Sequence, residues 1–142
     1  MPAAKNPKRM TVEEYLSFEE KSQTKHEYVD GFVFAMTGAS ARHNIISGNV
    51  FSLLRAHVKG SQCRAFIMDM KARVEISNCF YYPDVIVSCG KLNDEAVVAP
   101  DPVLIVEVLS PSTASVDRRE KLLAYQQVPS LREYMVVHQR RP

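Results

Sequence analysis

The stretch "DPVLIVEVLSPS", Asp101 to Ser112, decides how this chain is read. Its centre, Val103 to Leu109, is β-branched and nearly all apolar, the composition of a strand covered on both faces. One carboxylate interrupts it. Side chains alternate along a strand, so Glu107 shares the face of Val103, Ile105 and Leu109 and points where they point. An ionised carboxylate taken from water without a partner is costly unless it takes up a proton, so Glu107 requires a cation, hydrogen bonds or a site.

A second stretch, "YYPDVIVSCG" from Tyr81 to Gly90, has the same form, with Asp84 directly ahead of the apolar part of a strand read from Pro83 to Val87. Two such runs are expected to be the central strands of a layered α/β domain. If they are neighbours, both acids emerge at one end of the sheet, where a pair of carboxylates suits the hard, oxygen-preferring Mg²⁺. The competing reading makes Asp84 the end of a loop and Glu107 the partner of a buried Arg or Lys. The residues by themselves leave both open.

The rest of the chain supplies elements to surround these strands. Thr11-Val-Glu-Glu14 has the form of a capping box and opens a helix from Thr11 to about Glu20. Asp30-Gly31 lies between two β-prone runs, so a hairpin is expected with strands His26 to Val29 and Phe32 to Met36. Ile45, Ile46, Val50, Phe51, Leu53, Leu54 and Val58 recur near the helical period; Ser40 is the expected N-cap and Gly60 the stop of this principal helix. One or two strands are expected between Arg64 and Ile76, a helix over Ser115 to Gln127 ahead of Pro129, and a last strand in "REYMVVHQ". The expected order is helix, hairpin, helix, two or three strands, helix, strand.

A chain of 142 residues, 46% of them hydrophobic, is one domain able to bury a core without disulfides. Cys63, Cys79 and Cys89 are odd in number and form no C-x-x-C pair, so reduced thiols are expected. The first residues hold no apolar leader and no run spans a bilayer, which excludes a membrane span and points to the cytoplasm. A net charge of +2 is too small to indicate nucleic-acid binding by itself. No phosphate-binding glycine loop, H-E-x-x-H or G-x-S-x-G elbow is present, which disfavours nucleotide hydrolysis and nucleophilic serine chemistry.

Three further residues are candidates beside the two acids. Lys121, in "DRREKLLAY", can stand beside an attacking water or neutralise a pentavalent phosphate, but it also has Asp117 at i−4 as a surface ion-pair partner. Glu27 either points to the same end of the sheet or is a solvated strand acid. His43 serves as a cap, a core residue or a titratable site residue.

Taken together, Pro83-Asp84, Glu107-Val108-Leu109 and Ser110-Pro111-Ser112 with Asp117 and Lys121 resemble the PD-(D/E)XK superfamily of restriction-endonuclease-like proteins. More narrowly, "HEYVDGFVFAM", "YYPDVIVSC", "LIVEVLSPST", "DRREKLLAYQQV" and "LREYMVV" resemble a bacterial, Uma-type family of that superfamily, in the family's order from about Met10 to Val137. The resemblance implies a restriction-endonuclease-like mixed sheet flanked by helices, with an N-terminal helix and hairpin, and hydrolysis of DNA by water activated on Mg²⁺ or Mn²⁺. It places the metal on Asp84 and Glu107, assigns catalytic roles to Asp84, Glu107, Lys121 and Glu27, and leaves His43 and Asp117 as accessories. The superfamily's usual lysine two positions after the second acid is here Leu109; Lys121 matches the narrower family's lysine on the following helix. Family members continue past "EYMVV" into a further hairpin, so residues 1–142 are expected to form a single domain lacking it, with a sheet edge left open or covered in a homodimer. Two alternatives stand beside the nuclease: a module of the same fold that binds nucleic acid or protein without turnover, and a purely structural role for both acids as ion-paired core residues.

Overall fold

The computed structural model describes residues 9–110 and 116–140, with side chains of the last helix described from Arg119 onward. Helix α1 (Val12–Lys21) starts as its sequence dictates. Thr11 Oγ1 accepts the Glu14 N–H at 3.1 Å, and the Glu14 carboxylate accepts the Thr11 N–H at 3.1 Å, a complete capping box. Strands β1 (His26–Val29) and β2 (Phe32–Ala35) follow as a hairpin. Its two-residue loop, Asp30 at φ 46° and Gly31 at φ 96°, has the paired positive angles that a tight right-twisted hairpin needs.

Helix α2 (Ala41–Val58) runs from the Ser40 cap, whose Oγ accepts the His43 N–H, and the chain turns away through Gly60 at φ 86°. Five strands lie between α2 and the last helix: β3 (Arg64–Ile67), β4 (Ala72–Val74), β5 (Cys79–Tyr81), β6 (Val85–Ser88) and β7 (Pro102–Val108). Helix α3 (Val116–Tyr125) and strand β8 (Glu133–Val137) complete the fold. The expectation of two or three strands between the second and third helices is therefore corrected. Strands β4 and β5 have three residues each and are joined by a tight turn with Asn78 at φ 55°, so neither is long enough to display a period.

The strands form two sheets. One is antiparallel in the order β2-β1-β5-β4; the other has the order β3-β6-β7-β8, antiparallel except for the parallel pair β7–β8. The two central strands of the second sheet are the two apolar runs, and all four residues of β6 are buried. Alternation divides β5 between two cores. Cys79 and Tyr81 pack with Ile86, Ile105, Ala124 and Tyr125 in the main one, while Phe80 packs with Tyr15 and Tyr28 under α1. Helix α2 covers the second sheet over β3, β6 and β7.

The cysteines require a second correction. Cys63 and Cys89 are bonded, with Cα atoms 4.0 Å apart, and only Cys79 is a free thiol. The physical reason is register: β3 pairs with β6 so that Arg64 faces Ser88, which sets the next residues outward, Cys63 and Cys89, opposite each other. Sequence spacing carries no sign of that pairing. Cys79 is buried, and burial raises its pKa.

Candidate active site

The site is built where β6 enters and β7 leaves the second sheet. Val85 pairs with Val106, so Asp84 and Glu107 are the next facing positions of two antiparallel neighbours. Strand β7 is apolar enough to be carried through the centre of the sheet, and its alternation turns Glu107 to the side of the fully buried Ile105. Asp84 is held by the backbone of the same strand: its Oδ2 accepts the Val108 N–H at 2.7 Å. His43, at the start of α2, brings Nε2 to 3.3 Å from that oxygen.

Glu107 is 9% exposed. Burial, only partly opposed by Lys121, and reinforced by the charge of Asp84, pushes its pKa up to about 8. The hydroxyl of Tyr125 donates to Glu107 Oε1 at 3.0 Å. Tyr125 is itself fully buried, and burial and the neighbouring Glu107 raise its pKa, which keeps it a proton donor.

Lys121 comes from α3 and reaches across to the first sheet, with Nζ 3.1 Å from Glu27 Oε2. Glu27 and Val29 lie on one face of β1, and Val29 packs on the main core, so Glu27 faces α3 and not solvent. Lys121 Nζ also lies 5.5 Å from the centre of the Tyr81 ring. Burial followed by neighbouring groups, Glu27 among them, raises the Tyr81 pKa.

Of the residues singled out by sequence, Asp84, Glu107, Lys121, Glu27 and His43 are thus brought into one neighbourhood. Asp117, Pro111 and Ser112 lie outside the residues whose side chains are described. Leu109 occupies the superfamily's lysine position but is bound into the sheet, its N–H donating to Val137 O at 2.9 Å. The positive charge that acts on Glu107 comes instead from Lys121 on α3. Sequence reasoning missed Tyr125, although it stands four residues after Lys121 on one helix face. It also missed the Val108 N–H, which carries no side-chain signal, and the pairing of Lys121 with Glu27 across two sheets.

A divalent cation is the group that this fold class implies, and the donor set fits it. One oxygen of each strand acid is engaged, Asp84 Oδ2 by Val108 and Glu107 Oε1 by Tyr125. The partner oxygens, Asp84 Oδ1 and Glu107 Oε2, are not the atoms that these two bonds occupy. Among those residues no three His, Cys, Asp or Glu side chains form a ready ligand cluster. A cation held here would keep its remaining positions for water and substrate oxygens, which is the habit of Mg²⁺.

Fold and site together define a restriction-endonuclease-like α/β protein. The chain belongs to the Uma2 family, whose model, described as "Putative restriction endonuclease", matches residues 12–142. It is 38% identical over 137 residues to the uncharacterised protein slr1290 of Synechocystis sp., covering 96% of this chain and 72% of that one. It is 36% identical over 135 residues to the uncharacterised protein sll1609 of the same organism, covering 93% and 76%. Its fold is similar to the crystal structure of a protein from Anabaena variabilis described as a putative nuclease belonging to DUF820. That similarity has a TM-score of 0.70 at 18% identity and covers 91% of this chain and 74% of the other. No helix among the described residues is long and apolar enough to cross a membrane.

Proposed function

We propose that the protein is a metal-dependent endodeoxyribonuclease that hydrolyses phosphodiester bonds of DNA, with Mg²⁺ or Mn²⁺ held by Asp84 and Glu107. The observation that carries this reading is the convergence of three acids and a lysine from four separated stretches of a Uma2-family chain. The ion, when bound, supplies Lewis-acid stabilisation of the phosphate and lowers the pKa of the attacking water. The protein's own groups do the rest. Asp84 and Glu107 offer the oxygens left unengaged by Val108 and Tyr125, His43 steadies Asp84 from α2, and Glu27 aims the Lys121 ammonium. Lys121 then faces the negative charge that builds on the phosphoryl oxygens. Asp117 is kept as an accessory partner of Lys121.

The partner is DNA, and a second copy of the chain is proposed to complete the assembly. Exposed Ile45 and Leu53 on α2, and Met135 on the edge strand β8, support that pairing. Incubating plasmid and single-stranded DNA with Mg²⁺ or Mn²⁺ tests the activity: the wild type is expected to cut, Asp84→Ala and Glu107→Ala to leave the substrate intact. Equal cleavage by all three overturns the assignment. Light scattering on the same wild-type sample reads the partner, since the mass of a single 16.1 kDa chain at micromolar concentration removes the dimer.

One observation favours a second reading. With Leu109 at the position of the superfamily's strand lysine, the fold is also compatible with a module that binds nucleic acid or protein without turnover. DNA binding that falls steeply with salt and ignores chelator is the result that would select it.

A further inference from the structure

Glu19 lies outside the candidate site, yet it is bonded to two of the three segments that deliver its acids. Its side chain, on α1, is 4% exposed. Oε2 accepts the backbone N–H of His26 at 2.7 Å and the hydroxyl of Tyr82 at 2.7 Å, and Oε1 lies 2.8 Å from His26 Nδ1. His26 immediately precedes Glu27. Tyr82 precedes Asp84 with only Pro83 between, and Pro83 is fully buried with a φ fixed by its ring.

Docking α1 does not call for this carboxylate, because Tyr15 is fully buried and Leu16 packs beside it. A buried acid is costly unless it is fully satisfied, and Glu19 has three donors arranged around it. Lys71, only 6% exposed, adds positive charge; its Nζ lies 5.2 Å from the centre of the Tyr82 ring. Burial lowers the Lys71 pKa, and Glu19 partly offsets that.

The need for such a node follows from topology. Glu27 belongs to one sheet and Asp84 enters the other, so no single hydrogen-bond ladder fixes their separation. Between the sheets at this point runs the short crossing Tyr82-Pro83-Asp84. We propose that Glu19 is a positioning residue for the candidate metal site, setting the Glu27 segment through His26 and the Asp84 segment through Tyr82 at the same time. The inference rests on the metal-dependent reading above for its consequence, though not for its geometry.

The test compares Glu19→Gln and Tyr82→Phe with Thr11→Ala, which breaks the capping box and loosens α1 while leaving every Glu19 partner in place. Tyr82→Phe removes one hydroxyl and keeps the ring, so a folded variant is available even if Glu19→Gln unfolds. Two readouts are taken on the full chain: Mn²⁺ affinity by calorimetry, and hydrogen exchange of the Val108 amide, whose acceptor is Asp84. Both Glu19→Gln and Tyr82→Phe are expected to weaken Mn²⁺ binding by about 10- to 100-fold, the range typical of lost outer-shell partners, and to speed exchange at Val108. Thr11→Ala is expected to lower the melting temperature and to change neither. Wild-type values in Glu19→Gln and Tyr82→Phe, or equal changes in Thr11→Ala, overturn the proposal. If the wild type itself takes up no Mn²⁺, the metal reading fails separately and the Val108 amide decides: unchanged exchange overturns the positioning role, faster exchange sustains it.

Discussion

Replacing Glu107 by Gln is expected to make the metal-free protein more stable at pH 8 to 9 while abolishing its Mn²⁺ binding and any cleavage. The native state keeps Glu107 protonated up to about pH 8, whereas the same group in the unfolded chain ionises near its ordinary value of 4.5. Between those values the folded form binds the extra proton, so stability present at low pH is lost as pH rises from about 4.5 to 8, then levels off. The slope is about 1.4 kcal/mol per pH unit at most, which sums to several kcal/mol across the window. Gln keeps the shape and an oxygen for the Tyr125 hydroxyl but cannot ionise. Thermal unfolding of both proteins at pH 5 and pH 9, with chelator present, reads the result directly. A wild type whose melting temperature does not fall relative to Glu107→Gln between those pH values removes the raised Glu107 pKa as a cause of pH-dependent stability.

Lys121→Met is expected to cost about 3 kcal/mol or more of folding stability, because removing one member of a buried ion pair strands the other. Glu27, with its side chain 18% exposed, would lose its ammonium partner, and Glu107 would lose the charge that most opposes its raised pKa. Adding Glu27→Gln to Lys121→Met should recover much of that loss, although cleavage stays absent in both. Denaturant unfolding of the two single variants and the double variant isolates the coupling. A double variant whose loss equals the sum of the single losses would show that the pair contributes no coupling energy.

Much of the scaffold was legible in sequence because local rules determined it. The Thr11 capping box, the Asp30-Gly31 loop, and the Ser40 and Gly60 limits of α2 each depend on backbone chemistry within a few residues. Asp84 and Glu107 were legible as candidates for another reason, that an acid in an otherwise apolar strand has few ways to be satisfied, while their facing was conditional on the two strands being neighbours. What stayed hidden depends on which strands meet. Strands β4 and β5 were too short to show alternation, and the Cys63–Cys89 bond follows from the β3–β6 register. Lys121 was visible as a candidate, but its partner was not, since i, i+4 spacing pointed to Asp117 while the fold supplies Glu27 from the other sheet.

The facing of residues 84 and 107 across two antiparallel strands has a consequence for how such a chain tolerates change. Insertion or deletion of one residue within β6 or β7 would turn every following side chain to the opposite face, and Glu107 would leave the side of Ile105. Within the connection from Cys89 to Asp101, residues 91–96 lie ahead of the Lys71–Val98 bridge and the buried Ala99 and carry no such parity, and lengthening a loop there costs little. Length variation is therefore expected to collect in that connection and to be excluded from the two strands, so the chemistry is protected by counting rather than by the identity of the surrounding side chains.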